Sequence, residues 1–187
     1  MTLHVYAEGK IGQATFHGQS YRCAIGRSGI ASNKTEGDGI SPVGEFDFIR
    51  ILYRPDRSNA ITTKIDTHPI RPSDGWCDDP GHADYNRPVT LPHDASCEIL
   101  WRGDSLYDLV VVTSHNSAPI IPGAGSAIFV HISEDWDFPP TEGCIAFARE
   151  DLVQILSDWV VGKDRLVITK DYQEVCRVKT AADGFRK

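Results

Sequence analysis

Two side chains in this 187-residue sequence have the types and spacing to carry covalent chemistry together: His131 and Cys144. The thiolate is the reactive form of cysteine, and an imidazole within reach takes the thiol proton as the sulfur attacks a carbonyl. Gly143, immediately before the cysteine, allows a tight backbone turn and brings amide N–H groups toward the oxyanion that such an attack creates. Each residue also has a purely structural reading. A cysteine among apolar neighbours is commonly a small buried hydrophobe, and a histidine at a strand end commonly supports its neighbours through hydrogen bonds. Catalysis depends on whether the surrounding elements aim both side chains at one opening.

Those elements begin with residues 125–147, GSAIFVHISEDWDFPPTEGCIAF. An apolar, β-favouring run from Gly125 ends on His131 and a polar loop holding Trp136 follows. Thr141-Glu142-Gly143-Cys144 then leads into a second apolar run, Ile145-Ala146-Phe147. Upstream, Leu3, Val5 and Ala7 alternate and β-type residues continue to Ala24, so residues 3–25 predict two strands. Residues 26–44 form a glycine-rich loop, and Glu45 to Tyr53 predicts one strand. Tyr107 to Thr113 (YDLVVVT) predicts a central strand buried on both faces. Leu152, Val153, Ile155, Leu156, Trp159 and Val160 share one helical face, with Gly162 where a C-terminal cap belongs. Arg165 to Thr169 predicts a last strand before a polar tail. Residues 54–98 hold six prolines and three histidines without periodicity, and so long a loop is commonly a lid or binding loop. Within and near it, Trp76, Tyr85, Asn86, Asn116 and Trp136 are candidates to line a cleft. About seven strands against one helix indicate a mainly β fold, a sandwich or closed sheet decorated by the helix.

Composition narrows the function classes. Lys plus Arg is 19 and Asp plus Glu is 26, a net charge of −7 that argues against sequence-independent nucleic-acid binding. No apolar run approaches the ~20 residues of a membrane span. The N-terminus lacks the basic region and apolar core of an export signal. A chain starting at its natural N-terminus is therefore expected in the cytoplasm, and one trimmed of a leader in the periplasm. The length suits one domain over residues 1–187, with its core over about 3–170. Cys23, Cys77, Cys97, Cys144 and Cys176 make an odd count, which favours free thiols in a reducing compartment. Cys77, His82, His93 and Cys97 match no standard spacing of zinc-ligand pairs, so neither metal nor cofactor is expected. Oligomeric state is not encoded in any of these patterns.

With these pieces placed, the chain resembles the L,D-transpeptidase catalytic domain (YkuD) family. Gly37-Asp38-Gly39-Ile40-Ser41-Pro42-Val43-Gly44-Glu45-Phe46 is similar to its Pro-x-Gly-x-Phe element, and Tyr107 to Val112 to its central strand. The strand ending on His131 looks like its catalytic-histidine strand, and Thr141-Glu142-Gly143-Cys144-Ile145 like its nucleophile turn. The resemblance covers roughly residues 3–170. Two positions depart from it: Glu142 stands where many members carry a second histidine, and Ala146 where many carry Arg or Asn. A carboxylate beside the thiol raises its pKa unless it is paired or points to solvent. Anion recognition then falls to Arg27, Arg102 or Arg149.

The resemblance implies a β-sandwich of mixed sheets with one main α-helix packed on it. It also implies cysteine-dependent acyl transfer on a muropeptide or peptidoglycan stem peptide. Cys144 is the expected nucleophile, His131 the base oriented by a backbone carbonyl near Ile132, and Gly143 part of the oxyanion site. Thr141, Glu142, Asn116, Tyr85 and Trp76 are the expected substrate contacts. The bond attacked is meso-diaminopimelate to D-Ala, and water as acceptor gives an L,D-carboxypeptidase in muropeptide recycling. An amine acceptor gives a cross-linking or exchanging L,D-transpeptidase. A thiol peptidase acting on ordinary L,L-peptides and a silent peptidoglycan-binding module are the remaining readings.

Overall fold

The computed structural model describes residues 1–9, 11–57 and 61–170, so Cys176 and the polar tail lie outside the described residues. The chain opens as a meander of β1 (Thr2–Glu8), β2 (Ile11–Phe16) and β3 (Gln19–Ala24), one strand more than periodicity predicts. His17 and Gly18 make the extra reversal with φ of 49° and 82°, the doubly positive pair that a two-residue hairpin turn demands. The glycine-rich loop contributes two short parallel strands, β4 (Ile30–Ala31) and β5 (Ser41–Pro42).

The single strand expected over Glu45 to Tyr53 is two, β6 (Gly44–Phe46) and β7 (Phe48–Tyr53), separated by Asp47. Next come β8 (Thr67–Pro69), β9 (Asp74–Cys77), β10 (Pro88–Thr90) and β11 (Cys97–Ile99). Residues 54–98 are thus not a structureless loop. Their strands are three or four residues long, too short to show a period. β10, β9 and β11 form a separate antiparallel sheet.

β12 (Leu109–Thr113), β13 (Phe129–Ile132) and β14 (Ile145–Phe147) lie side by side, followed by α1 (Arg149–Asp158) and β15 (Arg165–Thr169). The main sheet has ten strands in the order β6-β15-β1-β2-β3-β14-β13-β12-β7-β8, with parallel and antiparallel pairs mixed. β6 and β7 stand near opposite ends of this order yet only Asp47 separates them in the chain, so the sheet curls round until its two ends approach. The mainly β architecture of mixed sheets, carrying one helix among the described residues, is as expected.

Alternation splits the centre of the sheet between two cores. Leu109, Val111, Val130, Ile132, Ile145 and Phe147 face Leu152, Ile155 and Leu156 of α1. Val110, Val112, Phe129 and Cys144 face the other way, into a cluster with Trp76, Tyr107 and Leu100. α1 ends at Asp158, with Trp159 extended and almost fully buried. Gly162, expected as the helix cap, serves instead in the turn that delivers the chain to β15. Trp159 stacks on Phe48 with ring centroids 4.0 Å apart, and packing of this ring ends the helix before the apolar face does.

Candidate active site

β12, β13 and β14 explain why His131 and Cys144 look the same way. Val110 pairs with His131, Val112 with Phe129, and His131 with Ala146. Cys144, two residues before Ala146 at the start of β14, therefore lies on the His131 face. Both side chains line one open cavity of about 670 Å³, at 5% and 9% residue exposure. They sit on its floor, in contact with solvent but mostly covered. The strand to His131 starts at Phe129 rather than Gly125, because Gly125 and Ala127 have positive φ and belong to the preceding loop.

His131 Nδ1 lies 2.8 Å from the Ile132 carbonyl, which fixes Nδ1 as the protonated nitrogen and leaves Nε2 as the basic one. Tyr107 packs edge-on against the imidazole at 5.4 Å. Burial pushes the His131 pKa down to about 4, opposed by the Ile132 carbonyl, so the ring is neutral near pH 7. Burial pushes the Cys144 thiol up to about 12, and the Glu98 carboxylate adds to the rise. The Phe129 amide, which donates to Sγ at 3.3 Å, and Lys34 oppose it. The thiol itself donates to the Ala127 carbonyl at 3.2 Å, and no hydrogen bond joins it to the imidazole. The resting site is thus a neutral thiol beside a neutral base.

The turn that carries Cys144 is held from three sides. Gly143 adopts φ 135°, and a Cβ there would stand 2.8 Å from the Ile40 carbonyl oxygen, so only glycine fits without displacement. Buried Ser41 donates to the Gly143 carbonyl at 2.9 Å and accepts from the Gly26 amide at 2.8 Å. Thr141 Oγ1 accepts from the Gly143 amide at 3.1 Å and donates to the Cys144 carbonyl at 2.6 Å. An oxyanion drawing on the Gly143 amide has to compete with that hydroxyl.

Thr141 and Glu142 line the cavity. Glu142 is largely exposed and paired with Arg27, 2.8 Å from Nε, so the carboxylate that sequence placed beside the thiol points to solvent instead. Trp76, Tyr85 and Asn116 are not among the lining residues. Trp76 packs edge-on against Phe129 and donates to Asn86 Oδ1 at 2.9 Å. Tyr85 is buried, donating to Glu36 and accepting from the Gly125 amide at 3.0 Å. Asn116 ties its own loop together through the Ile121 and Gly125 carbonyls, each at 3.0 Å. These three support the cavity wall from behind. Among the arginines, Arg102 lines the cavity, whereas Arg149 pairs with buried Asp108 at 2.6 Å.

Five charged residues of the wall escaped the sequence reading: Lys34, Glu36, Asp78, Glu98 and Glu134. Lys34 is almost fully buried and 2.5 Å from Asp38, a spacing of four residues that was visible inside the glycine-rich loop. Glu98 accepts from the Tyr107 hydroxyl at 2.7 Å, and burial raises its pKa. Asp78 Oδ1 is buried without a hydrogen-bond partner. Of the residues singled out for metal, Cys77, His93 and Cys97 come together at the far side of the small sheet, with His82 in an overlapping group.

No curated protein sequence matches the chain. Among solved structures, that of Bdellovibrio bacteriovorus Bd1075 is similar at 12% identity and a TM-score of 0.45. The similarity covers 98% of this chain and 54% of that one, so the present chain spans about half its length. The sequence pattern of the YkuD L,D-transpeptidase catalytic domain matches residues 2–168. By that match over nearly its whole length, the chain belongs to the L,D-transpeptidase catalytic domain (YkuD) family.

Proposed function

We propose that this chain is an L,D-carboxypeptidase that releases D-Ala from tetrapeptide stems by way of a Cys144 thioacyl-enzyme. The observation that carries the reading is the shared cavity, with the thiol and the neutral imidazole on its floor and cationic Lys34 and Arg102 on its wall. Lys34 is paired with Asp38 and Arg102 with Asp104, so a carboxylate of a stem peptide ending in D-Ala shares each cation with its aspartate. Cys144 Sγ attacks the carbonyl carbon of the diaminopimelate–D-Ala bond while its proton passes to His131 Nε2. Backbone N–H groups around Gly143 and Cys144 hold the oxyanion, each such donor being worth about 3 kcal/mol of barrier. As the C–N bond breaks, the imidazolium returns the proton to the departing amine. A base whose pKa is pushed down gives that proton up readily. Water then attacks the thioester, His131 takes its proton, and the C–S bond breaks to restore the thiol and leave a tripeptide carboxylate.

A second reading, L,D-transpeptidation, is favoured by a smaller hollow of about 230 Å³ that adjoins the cavity at Ser133 and Glu134 and holds exposed Trp136. It offers an amine acceptor a place to lie. Incubation with tetrapeptide muropeptide, with and without an amine-bearing stem, followed by mass spectrometry separates the two. Tripeptide plus D-Ala is the expected product, whereas a dimer or an exchanged D-amino acid transfers the assignment to transpeptidation. Turnover retained in Cys144→Ala, or cleavage of L,L-peptides at equal rate, overturns both readings.

A further inference from the structure

We infer that Cys77, His93 and Cys97 form a binding site for a thiophilic divalent cation, zinc by the softness of the donors, on the face of the small sheet away from the cavity. Cys77 on β9 and Cys97 on β11 are directly opposite each other. The Asp78 amide donates to the Ser96 carbonyl, which makes them a pair without hydrogen bonds of its own, the kind in which cross-strand side chains approach closest. Both are free thiols. The chain leaves β10 and returns over both sulfurs, bringing His93 Nδ1 to 3.5 Å from Cys97 Sγ. All three donor atoms lie within 4.8 Å of one another.

Two details go beyond proximity. With metal–sulfur bonds of about 2.3 Å and metal–nitrogen bonds of about 2.0 Å at a tetrahedral angle, sulfur and nitrogen ligands stand about 3.5 Å apart. The observed separation already has that value. Second, the tautomer of His93 suits a ligand: Nδ1 accepts from the Ala95 amide at 3.2 Å, so it is the unprotonated nitrogen whose lone pair passes from that amide to the ion, while Nε2 faces Asp84 Oδ2 at 3.4 Å. A carboxylate behind the second nitrogen is the usual support of a metal-bound imidazole. The exposed Asp94 carboxylate, 3.5 Å from Nδ1, is in reach of the fourth position. Two thiolates and a neutral imidazole are the donor set that zinc takes in preference to harder cations, and binding releases the two thiol protons.

Such an ion clasps β9 to β11 and the His93 loop. Trp76 and Glu98, the neighbouring cross-strand pair, project from the opposite face, where Glu98 lines the catalytic cavity and Trp76 packs beneath it. The ion thereby fixes a wall of the cavity without touching the reaction.

Titration of the reduced, full-length protein with Co2+, read by the thiolate-to-cobalt absorption band and by competition with Zn2+, tests the site. One equivalent is expected to saturate the band in the wild type and in Cys144→Ala alike. Cys97→Ser and His93→Gln, both at positions less buried than Cys77, are expected to lose it while retaining the far-ultraviolet circular dichroism of the folded chain. Asp84→Asn is expected to weaken affinity by about 10–100-fold. The proposal is overturned by the absence of a band, by a band that survives in His93→Gln, or by one lost in Cys144→Ala. A Cys77–Cys97 disulfide that persists in reducing buffer, seen as two missing thiols on titration, overturns it as well.

Discussion

Burial sets the protonation states of His131 and Cys144, and their consequences are measurable. Because the His131 pKa is pushed from 6.5 down to about 4, the base is available well below the range of an ordinary histidine. The acid limb of kcat/KM is expected near 4; a limb near 6.5 would mean that the ring is solvated during turnover. Cys144 is held protonated by burial and by Glu98, so alkylation by iodoacetamide at neutral pH is expected to be slow without substrate. Glu98→Gln keeps an oxygen for the Tyr107 hydroxyl and removes the charge, and is expected to speed that alkylation. Gly143→Ala forces a Cβ against the Ile40 carbonyl at a φ foreign to alanine. It should destabilise the fold by about 1–3 kcal/mol on urea titration and abolish turnover. His131, Cys144 and Gly143 were legible as types at a spacing. Lys34 and Glu98 were not, because their burial in the cavity wall comes from strands and loops remote in sequence.

At the level of elements, α1 is preceded by Ala148 at the N-cap, whose φ and ψ suit a cap but whose side chain makes no capping hydrogen bond. Ala148→Ser supplies an oxygen for the first-turn amides and is expected to stabilise the protein by about 1 kcal/mol, seen as a higher Tm. Ser41→Ala acts in the other sense. It leaves the Gly26 amide and the Gly143 carbonyl without their buried partner, at a cost of about 1–3 kcal/mol. A larger fall in kcat than in KM would show that the nucleophile turn has loosened. Long apolar runs gave β12 and β15 from sequence nearly to the residue. β9, β10 and β11 gave no signal, since strands this short acquire their identity from pairing rather than from their own composition. The His17–Gly18 reversal was missed because apolar and β-type residues flank it on both sides.

For the whole molecule, His131 also links stability to acid. The unfolded chain protonates this ring from about 6.5 downward and the folded chain only near 4, so stability is lost across that window as pH falls. The loss from this one group is about 3 kcal/mol. His131→Asn should shrink the difference between melts at the two ends of the window. The order of strands in the main sheet could not be read from the sequence, because Phe46 and Phe48 sit in one apparent run while their strands join different ends of the sheet.

That crossing at Asp47 has a mechanical consequence. Its amide donates to Ser114 Oγ at 2.8 Å, its carbonyl accepts from the Ser114 amide at 3.0 Å, and its carboxylate meets Arg165 at 2.5 Å. A single residue is thereby the buckle of a belt. β6 cannot peel from its edge of the sheet without pulling on β7 through this residue, so amides of β6 and β7 should exchange with deuterium as one cooperative unit. Lengthening the strap by a few glycines beside Asp47 should uncouple them, leaving β6 to fray while β7 stays protected.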